Sequence, residues 1–158
     1  MLDEDIPELR GKLLALVNTS QQKNGDPFPK NILHDQGNAK LGDSFVNFLF
    51  SVAKSLCWQR TTGLKVADAV LSNAYKQSRL KEYVFLKGNK DVLGDKIEAL
   101  LLWTWLSRFM DFTEMVNVLR KNLDTSKFNH HEMEKITSTE AFCSLFDEIA
   151  SKLENIAQ

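Results

Sequence analysis

A chain of 158 residues, 43% hydrophobic and 26% charged, has the apolar content for one folded core and the composition of an ordinary globular protein. No segment approaches the ~20 consecutive apolar residues that cross a bilayer, and the acidic start Met1-Leu2-Asp3-Glu4-Asp5 is the reverse of a secretory leader. A net charge of −1 excludes the global basic field of many nucleic-acid binders and leaves room only for a local basic face. Cys57 and Cys143, far apart and outside any C-x-x-C spacing, are expected as buried free thiols of a reducing cytoplasm.

Seven glycines, three prolines and almost no strict apolar/polar alternation predict an all-α fold. Ile6, Leu9, Leu13, Leu16 and Val17 mark a first helix by three- and four-residue spacing. The polar stretch Asn18 to Gln36, with Pro27 and Pro29, is expected as a long surface connection. Asp43 to about Cys57 is apolar on nearly every side and predicts a buried second helix. Thr61-Thr62-Gly63 breaks the chain before a third, amphipathic helix over Val66 to Tyr75. A short fourth helix is expected over Tyr83 to Leu86, stopped by Gly88. Asp95 opens the fifth and most apolar helix, to about Phe109, and Met115 to Leu119 suggest a sixth. Thr137-x-x-Glu140 has the form of a capping box before the stripe Phe142, Leu145, Phe146, Ile149, Leu153 and Ile156. No repeat, low-complexity tract or linker divides the chain, so one domain over residues 1–158 is expected.

Two strings carry the chemistry. Leu41-Gly42-Asp43-Ser44 and Gly94-Asp95-Lys96-Ile97-Glu98-Ala99 each put carboxylates at the mouth of a core helix. If those helices pack side by side, Asp43, Asp95 and Glu98 converge, and converging hard oxygens are what Mg²⁺ binds. Asp95 and Glu98, at i and i+3, share one helix face. The structural alternative is capping: either aspartate in front of its helix satisfies orphan amides and favours the macrodipole. Capping accounts for each string separately but does not predict two such strings before two core helices. His34, His130 and His131 lack zinc-site spacing, and no G-x-S-x-G, P-loop or G-x-G-x-x-G is present. Trp58, Trp103 and Trp105 read as core or interface anchors. Of the basic stretch Lys76 to Lys90, mostly a solvated face, Lys87 and Lys90 are candidate phosphate contacts because they approach the second string.

These residues resemble the catalytic domain of the ribonuclease III family. Leu41-Gly42-Asp43 is similar to the end of the family's E-x-L-G-D signature, and Asp95-x-x-Glu98-Ala99 to its D-x-x-E-A motif. Val66-Ala67 to Ala74, Tyr83 and Gly88 resemble the intervening segment, and the likeness runs from about residue 39 to 106. The signature glutamate falls on Ala39, a loss shared with the small Mini-III ribonucleases. The family's dimer-stabilising aromatic falls on Lys40. The resemblance implies a stand-alone, archaeal or Mini-III-like type without a double-stranded-RNA-binding domain. It also implies an Mg²⁺-dependent (Mn²⁺ as substitute) endoribonuclease of double-stranded or structured RNA, a homodimer located in the cytoplasm and not at a membrane. Asp43 and Glu98 would be metal ligands, with Asp95 either joining them or orienting a water from behind them.

Two other readings compete. A binding module of the same fold, catalytically silent and holding RNA or a ribonucleoprotein, is favoured by Ala39 and the near-neutral charge. An unrelated helical interaction protein would leave both strings as caps and the three carboxylates far apart. The region after Asp111 has no counterpart in the resemblance.

Overall fold

A computed structural model describes residues 7–18 and 30–158. Among the described residues there are six α-helices, three short 3₁₀ turns and no strand, the all-α fold expected from the sequence. The helices are α1 (Pro7–Val17), α2 (Gln36–Trp58), α3 (Asp68–Gln77), α4 (Lys90–Leu106), α5 (Phe112–Lys121) and α6 (His131–Ala157). Ile6 and most of the connection read over Asn18 to Gln36, both prolines included, lie outside the described residues.

The centre is α4, whose Leu93, Ile97, Ala99 to Leu102, Trp105 and Leu106 are all buried. It packs along α2 and α3 and touches α1, while α6 closes over α3 and α5. A helix apolar on every side needs such a jacket, because no face of it can be left to water. Rings lock the seams: Phe45 of α2 stacks on Trp105 of α4 at 5.1 Å, and Phe50 of α2 on Phe142 of α6 at 5.6 Å.

Helices α2, α4 and α6 start upstream of the sequence expectation, whereas α3 starts at Asp68, two residues after the expected Val66. The N-cap of α2 is Asp35, whose carboxylate accepts from the Asn38 amide at 2.8 Å, so Asp43 lies two turns inside the helix. The N-cap of α4 is Asn89, accepting from the Val92 amide at 3.0 Å, so Asp95 is also interior. Likewise α6 begins at His131. Thr137 is then no cap but a buried residue whose hydroxyl accepts from the Asp124 amide at 2.8 Å. In each of these three a polar stretch reads as loop in the sequence yet forms a helix turn, held for α2 and α4 by a side-chain cap further upstream, whereas His130 before α6 makes no such bond. The short fourth helix is displaced to a 3₁₀ turn over Arg79–Glu82. Residues 84–86 run beneath Tyr75, whose hydroxyl donates to the Val84 carbonyl and accepts from the Leu86 amide. Gly88, at φ 142°, does not end a helix but makes the turn into α4. Cys57 and Cys143 are free thiols as expected, though half-buried instead of fully so.

Candidate active site

Gly42 and Asp43 are adjacent on α2, and the reason for the glycine is visible in the helix seam. A Cβ at Gly42 would stand 2.3 Å from the Glu98 carbonyl oxygen and 3.0 Å from the Ala99 amide nitrogen. Only glycine lets α2 approach α4 this closely, and the close approach brings Asp43 beside Glu98.

The segment 61–67 is tied to α2 by a ladder. Asn47, Ser51 and Ser55, four residues apart on α2, accept from the amides of Val66 (2.8 Å), Leu64 (2.9 Å) and Thr62 (3.0 Å). Four helical residues rise ~6 Å and two extended residues ~6.6 Å, so the two repeats stay in register as the strand-like segment runs antiparallel to the helix. The ladder ends at Ala67, and Asp68 opens α3. Asn47 also donates to Asp43 at 3.1 Å, which couples the ladder to the site.

Together these elements surround a polar cavity of about 220 Å³ lined by Gln36, Ala39, Lys40, Asp43, Lys65, Asp68, Asp95 and Glu98. The three carboxylates singled out in the sequence are therefore brought to one place, and neither aspartate is spent as a cap. Glu98 is the deepest, with 4% of its surface exposed, whereas Asp43, Asp68 and Asp95 are half-buried. Burial pushes the Glu98 carboxyl up to about 8, helped by the charges of Asp43 and Asp68, a hydrogen bond with Asp43, and Asp95. Burial likewise raises Asp68, with Asp91 and Asp95 adding to the shift and Lys65 and Lys90 opposing it.

With its pKa raised to about 8, the Glu98 carboxyl keeps its proton at neutral pH beside the charges of Asp43, Asp68 and Asp95. The donor set is hard oxygen throughout, negatively charged in excess and backed by few cations, which fits a small divalent ion. Among the described residues no three His, Cys, Asp or Glu side chains close on a single point as they stand. The acids line the walls of the cavity.

Sequence reasoning missed Asp68 and Lys65. Lys65 sits with its Nζ 4.0 Å from the Asp43 carboxylate. Asp68 carries no spacing relation to either string, because the ladder, not the local sequence, delivers it. Lys87 and Lys90 do not line the cavity: Lys87 lies over the Phe85 ring at 5.3 Å, and Lys90 stands 3.9 Å from Asp91 while its charge reaches Asp68. The cations at the cavity are Lys40 and Lys65.

The fold and the site define an all-α protein with an acid-lined cavity at the meeting of three central helices. A family model for ribonuclease III matches residues 36–155, and the chain belongs to the ribonuclease III family, ribonucleases that act on RNA. The match extends past Asp111, so α5 and most of α6 are part of the family domain. A search of curated proteins finds no match.

Proposed function

We propose that this protein is an endoribonuclease that hydrolyses phosphodiesters of double-stranded or structured RNA with Mg²⁺, or Mn²⁺ in its place. The observation that carries the reading is the convergence of Asp43, Asp95 and Glu98 on one small polar cavity. Asp43 and Glu98 hold the cation, with Asp95 beside them on the same face of α4. A divalent ion there supplies Lewis-acid activation of water and neutralises charge developing on the phosphate. The chain's own residues do the rest. Gly42 and Gly94 let the backbones and side chains close in, Asn47 orients the Asp43 carboxylate, and Lys40 and Lys65 at the cavity meet the RNA phosphate. Lys87 and Lys90 extend that contact outward along the duplex. Water adds to phosphorus, the bond to the 3′-oxygen breaks, and that oxygen leaves as a hydroxyl. Duplex RNA is recognised by shape, phosphates and 2′-hydroxyls, so little base preference follows.

A homodimer completes the reading, with each protomer cutting one strand. Leu41, Phe48 and Leu56, spaced seven and eight residues apart on α2, form an exposed apolar stripe, and α2 also borders a groove lined by Val52 and residues 61–64. Such a stripe supports a partner surface. Residues 1–158 act as one domain, in the cytoplasm; among the described residues no helix is long and apolar enough to cross a membrane.

A catalytically silent module is the second reading, favoured by Ala39, which lines the cavity with a methyl group where the resemblance expects a glutamate. Labelled double-stranded RNA, incubated with wild type and Glu98→Gln under Mg²⁺, Mn²⁺ and EDTA, separates the two. Metal-dependent cuts lost in the variant support the enzyme. Retained binding with no cutting by the wild type under either metal supports the silent module.

A further inference from the structure

Resting on the reading above, we propose that Asp68 supplies a fourth carboxylate to the cation site formed by Asp43, Asp95 and Glu98. Asp68 comes from a third helix and lines the same cavity from the wall that α3 provides. The backbone of α4 is recessed for it: a Cβ at Gly94 would stand 2.5 Å from the Asp68 Oδ1, 2.9 Å from its Cγ and 3.1 Å from its Cβ. The recess lies one residue before Asp95, so the two carboxylates enter the cavity from neighbouring positions.

Capping does not explain Asp68. The N-cap of α3 is Ala67, which makes no side-chain cap bond, and the Asp68 carboxylate lies against α4 instead of folding back over its own first turn. Among the described residues it accepts no hydrogen bond of the kind that fixes Asp35 or Asp124. Lys65 and Lys90 oppose the charge of Asp68, and a bound cation would sit among all four acids, where a backbone recess admits the half-buried Asp68. Ala39, one turn before Asp43 on α2, offers the cavity no oxygen, and Asp68 brings the number of acids around it to four.

The test is Mn²⁺ binding without RNA, followed by the electron-paramagnetic-resonance signal of the free ion. It compares wild type, Asp68→Asn, Asp68→Ser and Asp91→Asn, each checked for folding by circular dichroism. Asp91 is an exposed acid whose field reaches Asp68 but which does not line the cavity, so its variant removes a nearby charge without removing a cavity oxygen. The expected result is at least about a tenfold loss of affinity in either Asp68 variant and a much smaller loss in Asp91→Asn. Equal losses at Asp68 and Asp91, or an unchanged affinity in a folded Asp68 variant, would overturn the assignment. Wild type that binds no Mn²⁺ would overturn the cation site itself and this inference with it.

Discussion

Glu98 is a carboxylic acid held in a nearly closed site among other acids, and its titration governs how the metal-free protein responds to pH. Its folded pKa of about 8 lies above the ordinary 4.5. Between those values the native state keeps a proton that the unfolded chain has lost. The contribution of this group to stability is therefore fully present below about pH 4.5 and is lost as pH rises to about 8, on the order of 5 kcal/mol in all. Thermal melts in EDTA should show the wild type losing ground to Glu98→Gln from acid toward pH 8, with the variant the more stable at the alkaline end. Parallel pH profiles for the two proteins would contradict the assignment. Cation binding must displace the same proton, so wild-type Mn²⁺ affinity should rise as pH increases through neutrality. A pH-independent affinity there would mean that Glu98 is not a ligand. Asp43→Asn should remove activity without the loss of ~1 kcal/mol that a helix cap would cost, because the cap of α2 is Asp35.

At the scale of elements, the seam between α2 and α4 is the critical joint. Gly42→Ala forces a methyl into the Glu98 carbonyl, and the helices must part. The expected cost is about 1–3 kcal/mol, accompanied by a loss of cleavage in protein that remains folded, because Asp43 and Glu98 move apart. Full activity in Gly42→Ala would show that the close approach is unnecessary. At the other end of the seam, Trp105 stacks on Phe45 and meets Phe112 edge-on, so Trp105→Ala should cost roughly 3–5 kcal/mol in denaturant melts. An unchanged midpoint would contradict its role as an anchor. The seam was legible in the sequence because α2 and α4 are apolar on nearly every side and each carries an acidic string. Their starts were not legible: Asp35 and Asn89 cap turns of polar composition, which no periodicity marks. Asp68 was hidden for a different reason. Its position depends on the match between the rise of α2 and the spacing of an extended segment, a relation between elements that no local pattern contains.

For the molecule as a whole, the all-α class followed from composition, and the match over residues 36–155 carries the domain through α5 and most of α6, where sequence motifs gave no hold. The exposed stripe of Leu41, Phe48 and Leu56 is the surface on which the proposed dimer rests. Sedimentation equilibrium should give a dimer for the wild type and a monomer for Leu56→Glu, a substitution at a position 47% exposed that should leave the fold intact. A wild type that stays monomeric at micromolar concentration would remove the two-strand cleavage model while leaving the site within each protomer untouched.

The most direct test of the central claim is to measure binding and cleavage of the same labelled duplex RNA by wild type and Asp43→Asn, side by side in Mg²⁺. The account predicts that the wild type cuts, that EDTA stops it, and that Asp43→Asn still binds the duplex but no longer cuts. Undiminished cleavage by a folded Asp43→Asn protein would contradict a cation site built on these carboxylates.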